Sequence, residues 1–127
     1  MKKLVILALA IWAFGAEARA DEYLTEAQAK ALFTDKTFDG LYVPKDKIFK
    51  AYEAPDGAHV VLRPNGKKDK GRKWMVNDKG QHCTTGKKWD GWRCSHVKDA
   101  GNGEYHKVNG RGKHTHTLTN FRAGNQL

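Results

Sequence analysis

Beyond residue 20, hydrophobic and polar positions take a helical spacing once and then give way to short runs with partial alternation. Ala29, Leu32 and Phe33 fall on one helical face, and Glu26 and Lys30 stand four apart as a supporting ion pair. Thr25 with Gln28 three positions later forms a capping box, in which the Thr hydroxyl accepts from the Gln28 amide and the Gln side chain reaches back. Leu24 precedes the cap and can pack back on the same face. This spacing predicts a helix over 25–33 that covers one end or face of a sheet.

From Phe38 onward, turn residues recur at strand-length intervals: Asp56-Gly57, Asn65-Gly66, Lys79-Gly80, Asp90-Gly91, Gly101-Asn102-Gly103 and Asn109-Gly110. Gaps of about ten residues between such signals fit the hairpins of an antiparallel meander. They bound predicted strands at 37–43, 48–54, 58–63, 72–77, 81–85, 92–98, 103–109 and 113–121. Alternation puts Trp74 and Val76 on one face, and likewise Trp92 with Cys94 and Val60 with Leu62. The pattern predicts a mainly β fold, an antiparallel meander forming a curled sheet or small barrel, with one short N-terminal helix.

The first twenty residues follow a different logic. Met1-Lys2-Lys3 is a short basic region, Leu4 to Gly15 is an uncharged apolar run, and Ala18-Arg19-Ala20 puts small residues three and one before a cut. These features read as a secretory signal peptide over 1–20, followed by a single β-rich domain over 21–127. The apolar run is shorter than the roughly twenty residues that span a bilayer, so no transmembrane segment is expected after cleavage. An uncleaved anchor is the competing reading. The expected compartment is periplasmic or secreted.

Charge and cysteine content sharpen this picture. The 127 residues carry 23 Lys or Arg against 14 Asp or Glu, and cleavage after Ala20 would take Lys2, Lys3, Arg19 and Glu17 away, moving the net charge from +9 to +7. A domain of this size buries only about two thirds of its unfolded surface and gains from a cross-link. Cys83 and Cys94 are the only cysteines. In an oxidising compartment they are expected to pair, closing a loop worth about 3 kcal/mol in the chain-entropy model. A zinc or redox role is the weaker alternative, because ten residues separate the two where such motifs commonly have two.

Several of these residues together resemble a known group. The leader precedes a Leu-Thr-Glu-Ala-Gln helix start, a Tyr52-Glu53-Ala54-Pro55-Asp56-Gly57 turn and a Lys73-Trp74-Met75-Val76-Asn77-Asp78 strand end. Gly80 stands before His82-Cys83, then come Cys94 and a Gly124-Asn125 near the end. This order is similar to that of a family of small, uncharacterised exported β domains of proteobacteria, in which a Gly-x-Trp strand and a Cys pair follow an Ala-Pro-Asp-Gly-like turn. The chain departs from that pattern at Lys73 and in its loading of lysine. The resemblance implies compartment and fold.

The basic residues are the first candidate chemistry. Lys67, Lys68, Lys70, Arg72 and Lys73 crowd together directly before Trp74, and Lys87 and Lys88 precede Trp89 and Trp92 in the cysteine loop. Cations beside aromatic faces suit an anionic protein or polymer, because the charges attract while the rings stack. A solvated turn that protects an edge strand is the plain alternative. Export argues against a biological nucleic-acid partner.

Histidine is the second candidate. His114 and His116 occupy alternate positions of a predicted strand, so both rings are expected on one face, where two imidazoles can reach one zinc or copper ion. A hairpin through Asn109-Gly110 would bring His106 near as a third ligand. Solvent-facing polar residues interleaved with Thr115 and Thr117 are the alternative. Enzyme chemistry finds less support: Ser95 is the single serine and neighbours His96 on the opposite face of a strand, and Asp78, Asp90, Asp99 and Glu104 sit in or beside turns. The leading expectation is an exported, non-enzymatic binding domain for an anionic partner or envelope polymer. A divalent-metal binder is the second reading, and a small enzyme the third.

Overall fold

The computed structural model describes residues 22–86, 88 and 91–127; the leader read over 1–20 lies outside them. Helix α1 (Glu26–Phe33) begins at Thr25 with both arms of the capping box formed: the Gln28 amide donates to Thr25 Oγ1 at 3.2 Å and the Thr25 amide to Gln28 Oε1 at 2.9 Å. Glu26 and Lys30 pair at 3.0 Å. Ala29 and Phe33 are wholly buried, so this short helix is held by its apolar face more than by its own propensity.

Eight strands follow: β1 (Lys36–Tyr42), β2 (Lys47–Glu53), β3 (Ala58–Leu62), β4 (Lys68–Val76), β5 (His82–Thr84), β6 (Arg93–Gly101), β7 (Glu104–Val108) and β8 (His114–Ala123). Each pairs antiparallel with the next, and β1 also pairs with β8, so the sheet closes into a barrel without a free edge. β4 departs furthest from its expected bounds. β4 starts at Lys68 rather than 72, because the lysine run continues the ladder opposite β3 through a register shift between His59 and Val61. On β3 the inner, more buried positions are His59 and Val61, while Val60 and Leu62 share the outer face.

The helix stops one end of the barrel. Phe33 meets Phe38 and Phe121 edge-on, each at 5.7 Å, and these rings join Trp74, Val76, Val97 and Leu118 in the core. The chain entering the helix is pinned by Leu24 N–H to the Val97 carbonyl at 2.8 Å. The β4–β5 turn packs directly beneath it: a Cβ on Gly80 would lie 2.5 Å from the Leu24 carbonyl oxygen, and its φ of +79° is left-handed. Inside, Gly40 leaves the space that the Phe49 ring fills, since a Cβ there would lie 2.2 Å from the ring tip.

Cys83 and Cys94 are bonded, directly opposite each other on β5 and β6. Three-residue β5 is the shortest strand, and the cross-link fixes it against β6. Reduction should lower the thermal midpoint by several degrees, because the cross-link contributes about 3 kcal/mol. A thermal scan with and without reductant measures this; an unchanged midpoint would remove the bond as a stabilising element.

Candidate functional site

The barrel interior holds a row of ionisable side chains. Glu53 ends β2 directly opposite His59 on β3, so both face inward. Lys107 reaches in from β7 and His82 from the start of β5. Glu53 is 0 % exposed, His82 2 %, and His59 and Lys107 7 % each. His59 Nδ1 donates to Glu53 Oε1, His82 Nε2 donates to Glu53 Oε2 at 2.5 Å, and Lys107 Nζ donates to His82 Nδ1 at 2.8 Å. The Phe33 ring stacks on His82 at 4.0 Å, so the helix covers this row.

Hydrogen bonding and charge set the protonation states. Burial alone would raise the Glu53 carboxyl, but His59 and His82 together hold it down at about 2. Burial and then the Lys107 charge push His82 down to about 4, so its ring is neutral at pH 7. Burial lowers Lys107 to about 8, against the opposing pull of Glu53. One carboxylate and one ammonium thus flank a neutral imidazole, an arrangement that satisfies buried charge through hydrogen bonds. None of these four side chains lines either of the two surface clefts described for the molecule.

On the outside, the alternation of β4 sorts its residues by chemistry. Lys68, Lys70 and Lys73 are exposed, as is Lys67 before them, while Asp69 and Trp74 point inward. Trp74 therefore does not present a ring for stacking: it is 7 % exposed and its indole N–H donates to the Ala54 carbonyl at 2.8 Å. Trp92, at 42 % exposed, takes that place. Arg72, Lys73, Met75 and Trp92 line a cleft of about 480 Å³ with the backbone of Gly57 and Gly71. Arg72 is tied to Asp69 at 3.0 Å through one guanidinium nitrogen, and its buried Nε has no hydrogen-bond partner among the described residues. Lys88 is exposed, whereas Lys87 and Trp89 lie outside the described residues.

The histidines expected to act together are divided. His106 and His114 stack with ring centroids 3.8 Å apart, but His116 lies against Tyr42 at 5.1 Å and Phe49 at 6.2 Å. The cause is a register shift on β7–β8: Lys107 pairs with His116 and Val108 with His114, leaving Thr115 without an opposite number. Such a bulge breaks the rule that alternate residues share a face. Burial, then the Lys107, His82 and His114 charges, push His116 down to about 3. No group of three or more His, Cys, Asp or Glu side chains is arranged for a metal ion among the described residues.

These features define a small disulfide-bonded, eight-stranded antiparallel barrel with a polar interior and a basic outer strand. Comparison with known protein families, with curated proteins and with solved structures gives no match.

Proposed function

We propose that the protein is an exported, non-enzymatic binding domain whose β4 face takes an anionic polymer of the cell envelope or its surroundings. The observation that carries this reading is the outward row of Lys67, Lys68, Lys70 and Lys73 beside a cleft lined by Trp92, Met75 and Arg72. A row of ammonium groups along a strand matches a linear polyanion, and an aromatic face next to it suits the flat, less polar side of a sugar ring. Export to a periplasmic or secreted location is supported by the leader-like residues 1–20 and by the disulfide.

Replacing Lys67, Lys68, Lys70 and Lys73 together by Gln tests the reading. Exposed charges contribute little to stability, so the melting temperature should stay within a few degrees of the parent. Retention on a sulfated-polysaccharide column should fall to a clearly lower salt concentration, because each lost ammonium weakens the attraction to the polymer. Unchanged elution would make these lysines solvating residues only. Trp92→Ala in the parent background should weaken binding at high salt, where stacking outlasts the screened charge attraction.

A further inference from the structure

We propose that the end of the barrel opposite α1 docks on an anionic phospholipid bilayer, with the β1–β2 hairpin tip among the headgroups and the surrounding cations at the lipid phosphates. This goes beyond the anionic-polymer reading and uses a different surface of the barrel. Chain direction gathers the parts. β1 leaves the helix and reaches its far end at Tyr42, so antiparallel pairing brings the connections 43–46, 63–67 and 109–113 together at the end away from α1. These connections and the first residue of β2 carry Lys45, Lys47, Arg63, Lys67, Arg111 and Lys113, all exposed, against the single acid Asp46. The helix end is mixed instead, with Glu26, Asp35, Asp56 and Asp78 against Lys30, Lys36 and Lys79. Arg63 is tied to Asp69, whereas the other five cations make no ion pair among the described residues. Such a lengthwise asymmetry turns this end of the barrel toward a negatively charged surface.

Charge alone would suit any polyanion, and the apolar groups single out a bilayer. Val43 and Ile48, at 39 % and 63 % exposed, flank the hairpin tip with the exposed Pro44 beside them. The tip is a 3-10 turn over Val43–Lys45, closed by Asp46 in the left-handed region at φ +51°, whose N–H donates to the Val43 carbonyl at 3.2 Å. Pro44 has no N–H and that of Asp46 is bonded, so entry among headgroups strands neither donor. Ile48 stands opposite Leu41 and opens onto an outer-face cleft of about 480 Å³, whose apolar wall also includes Leu62 and Pro64. Lys50 and Arg63 border the same cleft. Weak apolar insertion joined to a basic patch is the two-part arrangement that holds peripheral proteins on anionic membranes, and a polysaccharide offers no hydrocarbon to the apolar part.

Sedimentation of the exported protein with vesicles tests this, comparing phosphatidylcholine alone with a mixture of phosphatidylcholine and phosphatidylglycerol. Binding should be confined to the mixed vesicles. Lys45→Gln/Lys47→Gln/Arg111→Gln/Lys113→Gln should weaken it by about 100-fold or more, since each cation at such a surface contributes about fivefold. Val43→Ser/Ile48→Ser should weaken it by about tenfold through lost apolar contact. Both side chains are exposed, so that variant should melt within a few degrees of the parent, and its retention on a sulfated-polysaccharide column should be unchanged. Lys68→Gln/Lys70→Gln/Lys73→Gln, on the outer face of β4, should affect vesicle binding far less than the four substitutions at the barrel end. If the parent is not retained on the column while these vesicle results stand, the polymer reading falls and the bilayer site remains. Absence of binding to the mixed vesicles overturns the proposal, as does equal binding to both kinds. Binding that Val43→Ser/Ile48→Ser leaves unchanged also overturns it, reducing this end to a cationic surface for any polyanion.

Discussion

Glu53→Gln should cost about 3–5 kcal/mol of folding stability, the range seen when one member of a buried ion pair is removed. Glu53 is 0 % exposed and is, among the described residues, the acceptor for two imidazole N–H groups, on His59 and His82. A Gln amide can accept one of these hydrogens, but its NH2 group then faces the other donor. Turning the His82 tautomer round to accept would point its Nδ1–H at the Lys107 ammonium, 2.8 Å away. Lys107 also loses the negative charge that holds its pKa up, and remains buried without a counter-ion. Urea unfolding at pH 7 reads the loss as a shift in midpoint at constant slope. Lys107→Met alone should cost less, because Glu53 keeps both imidazole donors. The double variant should be more stable than the sum of the two losses implies, since removing the ammonium relieves part of the damage done by removing the carboxylate. A shift of under about 0.5 kcal/mol for Glu53→Gln, as for an ordinary surface substitution, would mean that the row does not hold the barrel together.

Local signals carried the fold a long way. The capping box at Thr25 and Gln28 marks the helix to within a residue, and the turn dipeptides from Asp56-Gly57 to Asn109-Gly110 separate the strands in order. Closure is different in kind: the β1–β8 pairing joins residues such as Lys36 and Ala123, and no local pattern encodes a contact at that separation. The interior row was hidden for a related reason. The alternation rule takes the inner face to be the apolar one, so on β3 Val60 and Leu62 look internal, whereas His59 and Val61 are. Polar residues can face inward because partners from β2, β5 and β7 satisfy one another, and those partners are set by register. A usable signal existed in the phase of β2, where Phe49, Ala51 and Glu53 share a parity that leads from the core to the carboxylate. Trp74 illustrates the opposite error: adjacency to lysines suggested a surface ring, yet one step of alternation separates Lys73 outside from Trp74 inside. The Thr115 bulge, which divides His114 from His116, has no counterpart in composition or spacing.

Acid should unfold the protein from well above the usual carboxylate range. His82 and His116 are held near 4 and 3 in the folded barrel, against 6.5 for a free imidazole. As pH falls below about 6.5, the unfolded chain takes up two protons that the folded one refuses, so stability declines with a slope of up to about 2.7 kcal/mol per pH unit. Glu53 adds to this lower down: its folded pKa of about 2 lies below the ordinary 4.5, so its contribution is present above 4.5 and is lost as pH falls from there. Lys107 acts at the other end. With a folded pKa near 8 against 10.5, its buried charge destabilises at neutral pH, and stability should rise as pH climbs from about 8 towards 10. Urea midpoints measured from pH 4 to 10 should therefore increase with pH across both windows, with the steepest change between 6 and 4. His82→Gln separates titration from packing, because its amide can donate to Glu53 and accept from Lys107 without binding a proton in this range. That variant should lose about half of the acid slope and keep the alkaline rise, whereas Lys107→Met should lose the alkaline rise. A midpoint that stays flat from pH 7 to 4 in the parent would show that these imidazoles titrate normally and that the buried row is open to water.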